Sequence, residues 1–126
     1  MKTLRAERMK IKLGDHWESP PLHILLTQED DVIVARCLDF TVSSHGKDEN
    51  EALNSLADAI REYILTAVEN RALGSIYDPA HGKYWRMYEE QTTRKSMKTL
   101  ERSLQRSLAS LKCENITHST LEICHA

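Results

Sequence analysis

Residues 32–53 read VIVARCLDFTVSSHGKDENEAL, and the change of period within this stretch decides the fold. Val32-Ile33-Val34-Ala35-Arg36-Cys37-Leu38 is rich in β-branched residues and suits a strand. Asp39-Phe40 interrupts it. Thr41-Val42-Ser43-Ser44-His45 reads as a short strand closed by Gly46, where a glycine fits a backbone position of positive φ. From Asp48 the pattern turns helical. Asp48 is a good N-cap and Glu51 stands three residues on, the spacing of a capping box. Ala52, Leu53, Leu56, Ala59, Ile60, Tyr63, Ile64, Ala67 and Val68 then recur at three- and four-residue steps. That spacing predicts an amphipathic helix over 48–68.

Upstream, Leu22-His23-Ile24-Leu25-Leu26-Thr27 is a further strand, and Gln28-Glu29-Asp30-Asp31 is a polar turn joining it to residues 32–38 as an antiparallel hairpin. Residues 1–21 are a lead-in. Within them Met9-Lys10-Ile11-Lys12-Leu13 alternates as a short edge strand, and Ser19-Pro20-Pro21 is a stiff spacer. The helix is expected on one side of the sheet, since nothing adjacent in sequence covers both.

Downstream, Asp78-Pro79 resembles a helix start with proline at the first helical position. Residues 94–112 form another helix, with Met97, Leu100, Leu104, Leu108 and Leu111 as a narrow stripe at heptad-like steps. Residues 116–124 alternate loosely as a final strand. The division is a lead-in at 1–21, a sheet-helix domain at 22–76, and a helical extension at 77–126 ending in that strand.

Composition bounds the function. The 126 residues are 40% hydrophobic and 29% charged, with net charge −2 from 17 basic and 19 acidic residues. The chain is too short for a barrel enzyme, which needs roughly 200 residues or more, and its net charge gives no global field for nucleic acid or an anionic membrane. Three cysteines are an odd count, which fits reduced thiols rather than a disulfide scaffold. The first residues, MKTLRAERMKIKL, are charged throughout and lack the apolar segment of a secretory leader. A cytoplasmic protein with no membrane span is expected.

Candidate chemistry is sparse. Walker, dinucleotide and seryl-nucleophile motifs are absent. His45 beside Ser43 and Ser44 can exchange a proton, but a lone histidine at a strand end is an ordinary surface residue. Cys113, His118, Cys124 and His125 are ligands by type. Their spacing is loose, however, and the adjacent pair 124–125 points to opposite faces of a strand, so no metal and no cofactor is expected. Asp30, Asp31 and Asp39 are the carboxylates a two-metal nuclease would use; acidic turns are ordinary, and no catalytic residue is assigned. Arg94, Lys95, Lys98, Arg102, Arg106 and Lys112 stand against Glu101 alone on the 94–112 helix. They suit either a solvated packing face or contact with nucleic-acid phosphates.

The stretch from Ile33 to Leu65 resembles the HicB-like antitoxin family. The likeness lies in Val34-Ala35-Arg36-Cys37-Leu38-Asp39-Phe40, then Val42 to Leu53 with its strand, turn and the helix opening at Glu51-Ala52-Leu53, then Leu56, Ala59-Ile60 and Tyr63. It implies an α+β, partial ribonuclease-H-like domain: three antiparallel strands, one helix and a further strand, without nuclease carboxylates. It also implies an antitoxin that occludes a small mRNA-cleaving toxin. Asp30, Asp31 and Asp39 would then meet a basic toxin, an assignment made from charge and location. Residues 66–126 match no DNA-binding segment of that family, and the Leu stripe together with open sheet edges points to a homo-oligomer.

Overall fold

The computed structural model describes residues 1–110. The chain is α+β, a four-stranded antiparallel sheet followed by two helices that pack against it. The strands are β1 (Lys2–Met9), β2 (Lys12–Leu13), β3 (Trp17–Glu18), β4 (Leu22–Glu29), β5 (Val32–Cys37) and β6 (Val42–Gly46). The helices are α1 (Glu49–Glu69) and α2 (Gly82–Ser110), with one 3-10 turn at Leu73–Ser75 between them. The main sheet has the order β1-β4-β5-β6, and β2 with β3 forms a separate two-stranded ribbon. The chain divides into two compact units, Met1–Thr92 and Thr93–Ala126.

The central hairpin forms as expected. Glu29 pairs with Val32, so the turn is the two residues Asp30 and Asp31. Asp30 has φ 56°, a left-handed conformation that Asp tolerates better than most non-glycine residues. The helix also matches: the Asp48 carboxylate accepts from the Glu51 amide at 2.8 Å, half of the expected capping box.

Strand β4 is buried almost without alternation from Leu22 to Thr27, because both faces of the sheet are covered. On one face Ile24, Leu26, Ala35 and Cys37 pack against Ala52, Leu56, Ile60 and Ile64 of α1. Fully burying a side chain such as Leu56 or Ile60 stabilises by roughly 1.5–3 kcal/mol relative to leaving it exposed. On the other face Leu25 and Leu38 pack against Tyr88, with Ala6, Ala80, Tyr84 and Trp85 around them. The helix at 48–68 lies on one side of the sheet, as expected, and the first turns of α2 cover the other.

Other differences have local causes. The edge strand is not residues 9–13 but Lys2–Met9, paired along its length with β4. A bulge between Thr3 and Arg5 resets its alternation, so Leu4 joins the α1-side core while Ala6 joins the other. This strand, which precedes the hairpin, is the fourth of the sheet; the expected strand at 116–124 lies outside the described residues. Pro79 does not open a helix. Residues 78 and 80 instead donate their amides to the Asp39 and Leu38 carbonyls at 3.0 and 2.8 Å, which holds the segment along the β5–β6 connection. The helix begins at Gly82, where His81 Nδ1 accepts from the Lys83 amide, and runs unbroken through the region expected to separate two helices.

Gly46 also has a different reason from the one expected. Its φ is not positive. A Cβ there would stand 2.5 Å from the Ala52 nitrogen and 2.8 Å from the Glu51 Cβ, so only glycine lets β6 end this close to the first turn of α1. Gly46→Ala is therefore expected to lower stability by about 1–3 kcal/mol in chemical denaturation, the range for overpacking a tight contact. An unchanged midpoint would show that α1 can move away without loss.

Candidate functional site

The acids singled out from sequence do not form one patch. Asp30 and Asp31 are exposed at the β4–β5 turn. Asp39 follows β5 at the opposite end, beside His23. Six residue steps along the strand separate positions 23 and 29, about 20 Å at ordinary strand rise. Asp39 therefore cannot act with Asp30 and Asp31 on one ion pair or one small contact. The turn shares its end of the sheet with Gly46, which pairs with Ile33, and so with the start of α1. Asp48, Glu49 and Glu51 lie there, with Glu49 ion-paired to Arg5 at 3.3 Å.

Glu29, next to the turn, is committed to the fold. Arg36 donates to its carboxylate at 2.9 Å and to the Thr27 hydroxyl at 2.9 Å, and Thr27 donates to the same carboxylate at 3.1 Å. The Arg36 guanidinium lies 4.6 Å from the centre of the Tyr84 ring. Burial pushes the Glu29 carboxyl up. The Arg36 hydrogen bond and charge and the Thr27 hydroxyl outweigh it and hold the group below its ordinary range.

Asp39 is mostly buried and bonded to His23 in two ways. The His23 amide donates to Oδ1 at 2.8 Å, and His23 Nδ1 stands 3.1 Å from Oδ2. The ring of His23 meets Trp85 at 5.2 Å and Tyr88 at 5.4 Å between centroids. Sequence reasoning missed the pairing because the residues are 16 apart. The hairpin register carries the signal, since pairing Ile24 with Cys37 brings position 23 beside 38 and 39.

Asp39 also lines a largely apolar cleft of about 610 Å³. Its lining includes Trp17 of β3, the Pro20-Pro21 spacer, Phe40 and the buried Ile64, and the exposed Val68, Leu73 and Tyr77. Val68 was expected in the α1 core; it is 50% exposed. The cleft draws on segments with no periodicity, so the sequence offered only scattered apolar residues.

Arg94, Lys95, Lys98, Arg102 and Arg106 all lie on α2 in the second unit and are exposed. So are Met97, Leu100, Leu104 and Leu108 of the stripe, Met97 at 65%. Lys112, Leu111 and the four residues Cys113, His118, Cys124 and His125 lie outside the described residues. Among the described residues no three His, Cys, Asp or Glu side chains gather as a metal site, and no helix is long and apolar enough to cross a membrane. Cys37 is buried, and burial raises its thiol to about 11, so at neutral pH it is an uncharged packing group. His45 is an exposed residue near the end of β6.

No family model matches this chain, and neither a curated protein nor a solved structure matches it.

The Glu29 network fixes a pH dependence. A carboxyl whose native value is depressed adds stability above its ordinary value of 4.5 and loses it as the pH falls through the native value. Glu29→Gln is expected to be less stable than the native chain at pH 7, with the gap closing below pH 4.5. Thermal melts of both chains across that range check the sign; a gap that widens in acid contradicts the assignment.

Proposed function

We propose that this chain is a non-enzymatic binding protein of the antitoxin type, whose partial ribonuclease-H-like, HicB-like domain occludes a small basic mRNA-cleaving toxin. The observation that carries the reading is the hairpin tip. Asp30 and Asp31 project exposed carboxylates from a two-residue turn, at the sheet end where the acidic first turn of α1 also begins. Strands β4 and β5 hold that tip rigidly, because β4 is hydrogen-bonded on both edges and buried on both faces. Fixed negative charge suits the capture of a cationic surface, since complementary charge speeds encounter and sets register. Asp39 belongs to the other end and is left out of the interface.

The test is co-purification of the tagged chain from its native host. The expected result is a small basic protein, toxic when expressed alone, that remains bound until denaturation. Asp30→Lys combined with Asp31→Lys should weaken that complex by about tenfold or more, chiefly through slower association at low salt. Recovery of the chain without such a partner, or full affinity in the double variant, overturns the reading.

A second reading rests on α2. From Thr93 onward its described residues carry five cations against the single Glu101, beside an exposed apolar stripe. This favours a regulator that binds nucleic-acid phosphates or associates with itself through the stripe. If all five cations contact duplex DNA, the log–log salt slope of binding is expected to be about −4.5. A flat salt response in a mobility-shift titration removes the nucleic-acid form. A monomer in sedimentation at high concentration removes the self-associating form.

A further inference from the structure

We propose that the apolar cleft at the Asp39 end of the sheet is a binding site for a small amphipathic amine, its hydrocarbon or aromatic body in the cleft and its ammonium on Asp39. The inference stands apart from the antitoxin reading, which uses the opposite end of the sheet. Three features carry it. The first is size: about 610 Å³ falls within the span of ordinary small-molecule pockets, roughly 300–1,000 Å³. The second is uncovered apolar surface. Trp17, Val68, Leu73 and Tyr77 are large hydrophobic side chains left exposed, and all four line this one cleft.

The third feature is charge. Among the described residues lining the cleft, only Asp39 is charged. Ser19, another polar group there, is already used: its hydroxyl accepts from the Ile11 amide at 2.9 Å and donates to the Pro20 carbonyl at 2.8 Å. Asp39 is held by the His23 amide and ring but retains acceptor capacity, because a carboxylate offers about four lone-pair sites. An ammonium brings three donors to that point. The rings of Trp17, Phe40 and Tyr77 add faces that attract a cation or stack on an aromatic body. An anion of the same shape would meet the carboxylate and lose affinity.

The test uses the full chain and three probes that share one body: 1-naphthylmethylamine, 1-naphthalenemethanol and 1-naphthylacetate, titrated by calorimetry. The amine is expected to bind saturably at one site and to exceed the carboxylate by about tenfold or more, with the alcohol between them. In Asp39→Asn the amine falls to the level of the alcohol. Val68→Trp, a substitution at an exposed lining position, fills the cleft and weakens all three probes alike. Absence of saturable amine binding, equal affinity for amine and carboxylate, or amine affinity unchanged in a folded Asp39→Asn chain each overturns the proposal. Should Asp39→Asn fail to fold by circular dichroism, the ranking of the three probes on the native chain decides alone.

Discussion

Strand β4 is the constraint on which the rest depends. It is hydrogen-bonded to β1 on one side and β5 on the other, and its residues from Leu22 to Thr27 are buried or nearly so. A strand in that position needs a cover on each face, because each exposed leucine or isoleucine would forfeit its burial energy. Helix α1 supplies one cover and the first turns of α2 the other. Polar groups at the two ends of the sheet are held in local networks. Thr27 and Arg36 close a network with Glu29 on the α2 side, and His23 with Asp39 closes the far end. Both networks sit where a purely apolar face would otherwise meet solvent at the sheet's ends.

The parts of the fold that could be read from sequence are those in which local pattern and tertiary placement agree. The Asp30-Asp31 turn, the third short strand and the Asp48-capped helix have cues within a few residues of themselves, and the structure has all three. The parts that could not be read are set by distant neighbours. Strand β1 has a charged, irregular sequence and a bulge that shifts its faces, so period-2 analysis passes over it; its identity comes from pairing with β4. The start of α2 is set by two backbone hydrogen bonds to the Leu38–Asp39 segment, some 40 residues earlier in the chain, and these outweigh the local signal of Asp78-Pro79. The run Ile24-Leu25-Leu26 carried a further clue. Continuous rather than alternating hydrophobicity marks a strand covered on both faces.

The same division explains the candidate sites. Exposed charges are visible in sequence by type, and the structure leaves Asp30, Asp31 and the α2 cations on the surface. Their grouping is not visible. Asp39 looks like a third member of the acidic set, yet the hairpin register carries it to the other end, where it bonds to His23 and lines an apolar cleft. That cleft is assembled from β3, the proline spacer, the end of α1 and the 3-10 turn. No single segment carries a motif for it.

The two ends of the sheet are also energetically separate. Groups more than roughly 10 Å apart with no shared partner contribute additively, and the hairpin tip and Asp39 stand about 20 Å apart along a strand at ordinary rise. Helix α1 reaches both ends, with its Asp48 cap at the acidic tip and Ile64 and Val68 at the cleft. Ala52, Leu56, Ile60 and Ile64 fasten the helix to the sheet along its length, and coupling between sites requires an element with two arrangements. A ligand in the cleft should therefore leave the acidic tip's affinity for a basic partner unchanged, and charge reversal at the tip should leave the cleft unchanged. The antitoxin reading and the amine site can then each fail without bearing on the other.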